Sequence, residues 1–417
     1  MKPAGSAALG LRENLSQFLL LVVVSAFVGA MVGLERSTLP IIAREDFGRA
    51  SSAAVLSFIV AFGLAKSFTN LAAGALAARL GRRRLLIAGW ILALPVPILI
   101  AVAPNWGWVV AANLLLGINQ GLTWSVTVLM KIDLVGARRR GFALGLNEAA
   151  GYGGVALAAA ATGWLAAGLA ARDVLVASGL VVGAGGLLLT VLFVRDTAGH
   201  VALEQSRQVE PGRPPLPFRQ SFAEATWRTP CLRACSQAGL VNNLNDALVW
   251  GLVPVFLATR GADMGQIALV ASVYPAVWGF GQILTGHWSD RLERWTLIVA
   301  GMLLQAAALF VLAASRGDVG IATAASVVLG AGTAMVYPTL IAAISDSVAP
   351  VARAPVVGIY RFWRDMGYVV GGLLVGVVAD GTSHAAAIAM VAVLTAMSGV
   401  WAAFDLRGRP PAASAVI

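Results

Sequence analysis

The chain has 417 residues, of which 59% are hydrophobic and only 12% are charged. Soluble globular proteins carry about 25% charged residues, so this composition excludes an ordinary soluble domain. A net charge of +10 would suggest nucleic-acid binding in a soluble protein. In a membrane protein the same basic residues set the topology, and we expect no nucleic-acid partner.

Apolar stretches of about twenty residues, the length that crosses a bilayer, recur along the whole chain. The first of them is too long for the core of a cleaved signal peptide, so we expect it to remain as a helix. Together these stretches predict twelve transmembrane helices, at residues 16–41, 52–79, 83–103, 106–131, 142–170, 173–194, 232–258, 266–290, 295–315, 318–345, 355–380 and 385–405.

The basic residues lie mostly on one side of the predicted membrane. About 20 of the 30 Lys and Arg residues fall in segments on that side. The other side carries only Arg44, Arg49, Arg172, Arg260 and Arg316. Because excess basic charge marks cytoplasmic segments, we expect a multi-pass protein of the cell inner (plasma) membrane with both termini in the cytoplasm.

Residues 195–230 form the long polar interruption of the chain and contain several prolines, as expected of a cytoplasmic linker. They separate two predicted six-helix bundles, at residues 1–194 and 231–417. The two halves are weakly similar: Phe62–Leu80 aligns with Tyr274–Leu292, and Asp133 with Asp346. Such internal repeats are typical of secondary transporters, in which two halves rock about a central site.

A motif in each half carries a family resemblance. The segment Gly74–Arg84 reads GALAARLGRRR and resembles the major facilitator signature between helices two and three, and Gly286–Leu292 reads GHWSDRL. The resemblance implies an all-α integral membrane fold of twelve transmembrane helices in two pseudo-symmetric bundles. It also implies that the carboxylate of the motif helps to close the cytoplasmic gate. Ala78 replaces this carboxylate in the first half, whereas Asp290 keeps it in the second.

Eight ionisable residues lie well inside the predicted helices, where each costs at least about 2.5–3.5 kcal/mol unless it finds a partner, a water-filled cavity or a function. They are Glu35, Arg36, Lys66, Glu148, Asp246, Arg361, Arg364 and Asp365. Lys66 is too deep to reach the interface easily. It either meets an anionic substrate in a cavity or forms a fixed ion pair with Glu35 or Asp246.

The acidic members of this set are candidate proton carriers. Asp246 lies among several asparagines on the seventh helix, a polar stretch that must face protein or water, and Glu148 lies on the fifth. Glu35 is a third candidate, although it and Arg36 lie close enough to the membrane surface to extend their side chains to it. In the eleventh helix the four-residue spacing predicts an Arg361–Asp365 gate pair, which leaves Arg364 free for Glu148 or substrate.

Polar and aromatic residues at helical spacing complete the candidate sites. Interhelical hydrogen bonding and packing are the alternatives for each of them. The predicted substrate-binding residues are Lys66, Asn70, Gln120, Trp124, Asn242, Trp250, Trp278, Tyr337 and Arg364. The predicted gating residues are Arg79, Arg82, Asp133, Asp290, Arg291, Asp346, Arg361 and Asp365.

These observations predict a secondary transporter of a small polar or anionic solute, coupled to protons, working as a monomer by alternating access. An efflux pump for amphipathic compounds is the alternative, although the fifth helix lacks the Gly-Pro signature of the drug/proton antiporters of the family. We expect no enzymatic activity, no cofactor and no metal site, because the sequence shows no metal-ligand cluster, nucleotide-binding loop or nucleophile constellation at a suitable depth. Cys231 and Cys235 alone lack the further ligands of a metal site.

Overall fold

The structure is a computed structural model that describes residues 8–49, 51–135, 140–206, 217–289, 292–348 and 350–407. All regular elements in these ranges are helices. In the first half they are α1 (Leu15–Arg36 continued by Leu39–Glu45), α2 (Ser52–Leu80), α3 (Arg82–Ala93 continued by Pro95–Ala101), α4 (Trp106–Val135), α5 (Arg140–Leu165) and α6 (Ala171–Phe193).

In the second half the helices are α7 (Pro230–Ala247, Leu248–Leu252 and Val253–Ala258), α8 (Met264–Ser289), α9 (Arg294–Ala314), α10 (Val319–Ser347), α11 (Pro350–Gly381) and α12 (His384–Leu406). Eleven of the twelve helices are long and apolar enough to cross a membrane. The other, α5, has 26 residues, and its Asn147, Glu148 and several glycines make it less apolar.

Three of the predicted helices are not continuous α-helices. The helix α1 breaks before Pro40 and α3 breaks before Pro95, and α7 widens into a π-turn at Leu248–Leu252 just before Pro254. Proline has no backbone N–H and its ring clashes with the preceding turn, which explains all three interruptions. The predicted spans are therefore present, and the structure adds an interruption within three of them.

The helices form two six-helix bundles that repeat the same packing. In the first bundle α1 packs on α5 and α2 on α4, and in the second bundle α7 packs on α11 and α8 on α10. The bundles meet through α2 with α11 and through α5 with α8, which are equivalent pairs under the repeat. A central region is thus enclosed by helices from both halves.

A stripe of small residues brings α1 against α5. A side chain on Gly29 would begin 1.8 Å from the Gly151 carbonyl oxygen, so only glycine fits there. Along the same stripe, the hydroxyl of Ser25 donates to Asn147 and that of Ser37 to the Ala159 carbonyl. Small residues let two helix backbones approach closely, which explains this tight contact of α1 with α5.

The predicted linker contains short helices, at Ala198–Ser206 and at Phe218–Ala223, the latter continued by a π-turn at Glu224–Arg228. Residues 207–216 lie outside the described residues, as does the loop around Arg213. The bundle boundaries at 194 and 231 stay predictions.

Candidate functional site

Aromatic side chains form a continuous series of ring contacts across the centre of the molecule. The ring centroids of Trp124 and Tyr152 are 5.2 Å apart, and those of Tyr152 and Trp278 are 3.5 Å apart. The series continues through Tyr274 and Trp250 to Tyr368 and Phe62. We call these seven residues the aromatic chain; its members come from both bundles.

The ammonium of Lys66 lies between the two ends of the aromatic chain. Its Nζ is 5.4 Å from the ring centroids of both Phe62 and Trp124, and 5.7 Å from that of Tyr368. Lys66 is only 5% exposed. It forms no ion pair or hydrogen bond with any residue that the structure describes. The predicted ion pairs with Glu35 or Asp246 are absent, and ring faces hold the charge instead.

A narrow cavity lies on one side of Lys66, between the bundles, and in this state it has no room for a water molecule. Its lining combines cations, hydrogen-bonding groups and aromatic rings, contributed by Lys66, Asn70, Trp124, Ser125, Tyr337, Arg361 and Arg364. Several of the sequence-predicted substrate residues therefore meet here. Asn70, Trp124, Tyr337 and Arg364 adjoin Lys66, although they come from four different helices.

The ion pair on α11 differs from the predicted one. Arg364, not Arg361, binds Asp365, with its Nη2 2.7 Å from the carboxylate. Arg361 instead extends across the bundle interface, where its Nη1 lies 3.5 Å from the Ser125 hydroxyl. An arginine placed one turn before an acid is the less favourable order on a helix, and Arg364 is long enough to fold back onto its neighbour.

Asp365 connects the bundles at the centre of the molecule. Its carboxylate accepts hydrogen bonds from Asn70 of the first half and from Asn243 of the second. Arg364 also donates to the Tyr337 hydroxyl. The structure thus places Asp365, predicted as a gating residue, inside the central cluster and away from the helix ends.

Asp246 is completely buried but binds hydroxyl groups in place of a cation. It accepts hydrogen bonds from Tyr274 and, at 3.3 Å, from Tyr368. No described basic residue forms an ion pair with it. Because Tyr368 also lies under Lys66, a single side chain links the buried acid to the ammonium.

Glu148 lies on the other side of Lys66. Its Oε1 accepts from the Trp124 indole at 3.0 Å and from Asn147 at 3.1 Å, while Oε2 has no hydrogen-bond partner among the described residues. The amide oxygen of Asn147 in turn accepts from Lys131. Two of the three predicted proton carriers, Asp246 and Glu148, therefore border the aromatic chain.

Two predicted site residues lie elsewhere. Glu35 lines a small cavity within the first bundle, together with Pro97 of α3 and Leu175 of α6. It is buried, so it does not extend to the membrane surface. Gln120 donates to the Val28 carbonyl of α1 at 2.9 Å and thereby joins two helices of one bundle.

The remaining predicted substrate residues are buried on the side of the second bundle. Trp250 and Trp278 belong to the aromatic chain, and their indole N–H groups have no hydrogen-bond partner in the described part of the chain. The same is true of both amide atoms of Asn242. Unpaired buried polar atoms are uncommon, and each needs a physical explanation.

Three of the predicted gating residues, Arg82, Asp133 and Asp346, belong to two equivalent ion pairs at one end of the molecule, which we call the Arg82 end. Arg82 at the start of α3 lies 3.3 Å from Asp133 of α4. Arg294 at the start of α9 pairs with Asp346 of α10 in the same way. Each pair joins helices within one bundle. Arg79 is exposed, and Asp290 and Arg291 lie outside the described residues, as does the side chain of Ala78.

The opposite end, which we call the Ser52 end, is tightly closed. A side chain on Gly63 of α2 would begin 2.4 Å from the Tyr368 Cβ of α11, and one on Gly376 of α11 would begin 2.5 Å from Ala53 of α2. The Asp380 carboxylate at the end of α11 accepts from the Ser52 and Ala53 amides, at 2.5 and 3.0 Å. A carboxylate at a helix N-terminus satisfies free N–H groups and the helix dipole.

Towards the Arg82 end the bundles are less closely packed. Gly145 shares the face of α5 that carries Glu148, and Gly358 shares the face of α11 that carries Arg361. A side chain added at either glycine would meet no atom of the described residues within 4 Å. The two bundles are therefore in close contact towards the Ser52 end, whereas towards the Arg82 end the described residues leave space beside these two glycines.

Several residues of this arrangement are missing from the predicted site lists, and Phe62, Ser125 and Asp380 are examples. Phe62 precedes Lys66 by one helical turn, a spacing that could have indicated their contact. Ser125 and Asp380 carried no such signal, because their partners lie on other helices and are distant in sequence.

Comparisons with known proteins agree with this architecture. The family model described as Major Facilitator Superfamily matches residues 18–243 and 235–416. A solved structure described as a point mutant of the nucleoside transporter NupG superposes with a TM-score of 0.71 at 14% sequence identity. The match covers 93% of this chain and 98% of that one. At this identity the superposition shows the shared fold, while the family model matches nearly the whole chain.

Proposed function

The chain belongs to the Major Facilitator Superfamily, a family of secondary transporters, and we propose that its solute is a small anion moved together with protons. The main support for this proposal comes from Lys66, whose buried ammonium lies beside the cavity and forms no ion pair with the described residues. A permanently unpaired ammonium in the membrane is costly. An anionic solute would supply the missing partner.

The charges around the cavity support a solute with one negative charge. Lys66, Arg361 and Arg364 are basic. Two acidic residues adjoin them: Asp365 forms an ion pair with Arg364, and Glu148 accepts a hydrogen bond from Trp124. With all five ionised, three positive and two negative charges leave one positive charge. A monoanion balances it, and a carboxylate also fits the geometry of an arginine fork.

Proton coupling is proposed to pass through Asp246. This acid and Lys66 contact opposite parts of Tyr368, its hydroxyl and its ring. A solute that draws Lys66 away would shift this tyrosine and change the hydrogen bonds of the acid. Glu148, whose second carboxylate oxygen is unpartnered within the described residues, is the other candidate carrier; Glu35 is the more remote third.

We further propose that residues 1–194 and 231–417 move as two bodies joined by the linker 195–230. In this state the glycine contacts of α2 with α11 close the Ser52 end. At the Arg82 end, the ion pairs Arg82–Asp133 and Arg294–Asp346 each hold together two helix ends that belong to the proposed gate. Asp290 and Arg291 belong to that gate on the basis of the family motif. The protein is proposed to work as a monomer in the cell inner membrane, with the Arg82 end in the cytoplasm.

Transport by the purified protein in liposomes tests the proposal. Labelled acetate, benzoate and phosphate represent anions, with benzamide as the neutral match for benzoate and uridine as a neutral polar solute. We expect uptake of a carboxylate that exceeds that of benzamide and that a proton gradient drives. Uptake of neutral solutes alone would contradict the proposal that the solute is an anion. Anion uptake that a protonophore leaves unchanged would contradict the proposal of proton coupling.

The aromatic chain favours a second candidate function, efflux of amphipathic compounds. Aromatic rings in close contact, such as those of Tyr152 and Trp278, offer apolar surface for flat molecules without using the basic residues. A cationic dye such as ethidium separates the two functions. Proton-driven ethidium transport that Lys66→Gln does not reduce would favour efflux.

A further inference from the structure

Among the described residues outside the cavity, Arg36 of α1 is as completely buried as Lys131. Its side chain is 0% exposed. All three guanidinium nitrogens lack a hydrogen-bond partner in the described residues. Such a group normally binds a carboxylate, because an arginine fork presents five donors. Arg36 therefore has a full set of donors and no acceptor within the part of the chain that the structure describes.

Aromatic rings enclose the guanidinium. Its Cζ lies 5.0 Å from the ring centroid of Phe62 and 6.0 Å from that of Phe58, both on α2. The third ring is Trp250 of α7, at 4.8 Å. Cation–π contacts offset part of the cost of burial but leave the N–H groups unsatisfied. Two walls of this cage thus belong to the first bundle and one to the second.

Nearby carboxylates do not pair with Arg36. Its sequence neighbour Glu35 turns into the cavity beside Pro97, and Asp246 is engaged by the hydroxyls of Tyr274 and Tyr368. No ion pair to Arg36 occurs among the described residues. An acceptor must therefore come from outside the fold if the guanidinium is ever to be satisfied.

The cage lies on the route to the closed Ser52 end. Phe62 contacts Lys66 and Arg36 at the same time, so the two cations lie on either side of one aromatic residue. Lys66 borders the cavity that adjoins the Arg82 end, whereas Arg36 is covered by Trp250 from the other bundle. Separation of the bundles at the Ser52 end would remove that cover.

We propose that Arg36 is a second anion-binding group, which receives the carboxylate or similar anionic part of the solute when the Ser52 end is open. The inference rests on the proposed anion transport and adds a site to it. Lys66 binds the solute in the state closed at the Ser52 end, and Arg36 binds it in the opposite state. Phe62 stays between them, and Trp250 covers Arg36 again when the end closes.

Cysteine labelling tests this site without knowledge of the natural solute. In a Cys231→Ser/Cys235→Ser background, Trp250→Cys places a thiol opposite Arg36. The probes are the anionic sulfonatoethyl methanethiosulfonate and the neutral methyl methanethiosulfonate. Arg36 should attract the anionic reagent, so Arg36→Gln is expected to lower the anionic-to-neutral rate ratio at this thiol about ten-fold. Arg36→Lys should restore part of the ratio, because it keeps the charge.

Asn70→Cys, beside Lys66, is the matched control. Its rate ratio should fall with Lys66→Gln and stay within two-fold with Arg36→Gln. One outcome is that Lys66→Gln lowers the rate ratio at Asn70→Cys while Arg36→Gln leaves the ratio at Trp250→Cys unchanged. In that case the Arg36 site is wrong and the anion proposal stands. If neither substitution changes its ratio, both proposals are wrong. If the neutral reagent never reaches the thiol at position 250, the Ser52 end does not open. That result would also overturn the Arg36 site.

Discussion

Two buried lysines of the first bundle have contrasting surroundings. Lys131 donates hydrogen bonds to Ser25 and Asn147 and thereby joins α4, α1 and α5. Lys66 has only ring faces around it among the described residues, and its charge borders the cavity. Two buried residues of the same type can therefore have different surroundings: Lys131 joins three helices of the bundle, whereas Lys66 is the residue that we propose to bind solute.

We predict that Lys66→Gln lowers the affinity for the transported anion ten-fold or more, about 1.4 kcal/mol per decade, without loss of folded protein. The amide keeps the size of the side chain but removes the charge that the anion would meet. Lys66→Arg should restore part of the affinity at best, because its planar fork cannot occupy the same space. Solute-induced thermal shifts and size-exclusion chromatography measure affinity and folding separately.

Lys131→Gln is the matched control, because it removes a charge of equal burial that serves structure. We expect it to lower the unfolding temperature while leaving the affinity of the remaining folded protein nearly unchanged. Normal anion binding by folded Lys66→Gln protein would end the anion proposal and favour amphipathic efflux.

For Asp246 we predict a loss of coupling rather than of binding. Asp246→Asn keeps both tyrosine contacts in reach but cannot carry a proton. Proton-driven accumulation in liposomes should disappear, whereas exchange of internal for external solute should stay measurable. Undiminished pH-driven uptake in this variant would assign the carrier to Glu148 or Glu35.

At the scale of the helix, the sequence predicted positions well and interruptions poorly. Apolar runs and small-residue spacing depend on nearby residues alone, so the spans and the α1–α5 stripe could be predicted. The turn at Ser37–Thr38 and the π-turn of α7 each depend on how a proline is accommodated by neighbouring helices. Whether Asp365 forms its ion pair with Arg361 or with Arg364 depends likewise on Asn70 and Asn243. Both asparagines donate hydrogen bonds to this carboxylate from other helices.

The close contact of α2 with α11 gives a prediction for the closed end. Gly63→Ala adds a methyl group 2.4 Å from the Tyr368 Cβ. Overpacking of this kind costs about 1–3 kcal/mol, which should shift the population towards opening at the Ser52 end by roughly five- to 150-fold. Maleimide labelling of Val60→Cys, which faces Gly372 of α11, should become correspondingly faster.

The control for this prediction is Gly358→Ala on α11. A side chain there meets nothing within 4 Å, so the labelling rate at Val60→Cys should stay within two-fold. Equal labelling of the Gly63→Ala protein and its parent would show that the α2–α11 contact does not limit opening.

At the scale of the whole molecule, the site could not be located from one sequence. The aromatic chain needs Trp124 and Tyr152 from one bundle and Trp278 and Trp250 from the other. Each residue could be selected individually, because polar and aromatic stripes stand out in apolar helices. Which of them meet is determined by helix packing within each bundle and by the docking of the two bundles. For that reason the sequence could not separate Gln120 and Glu35, which are held inside the first bundle, from the region of Lys66.

The orientation of the molecule gives the last prediction. The distribution of basic residues predicts that the linker and the Arg82 end lie in the cytoplasm. Gly145 and Gly358, beside which no described atom lies within 4 Å of an added side chain, are situated towards that end. The described state should therefore admit solutes from the cytoplasm. In the cysteine-free background, labelling of Gly212→Cys shows on which side of the membrane the linker lies. Labelling of Gly358→Cys shows from which side the face of α11 that carries this residue is accessible.

We expect a membrane-impermeant sulfonate thiol reagent to label both positions from the cytoplasmic side of inverted vesicles and neither from the outside of intact cells. Val60→Cys at the closed end should react slowly from both sides. Labelling of Gly212→Cys from outside would reverse the topology of the whole chain. If Gly212→Cys reacts from the cytoplasm but Gly358→Cys only from outside, the topology holds and the assignment of the open end is wrong. The two thiols therefore test the orientation of the chain and the direction of the opening independently, which a measurement of transport alone cannot do.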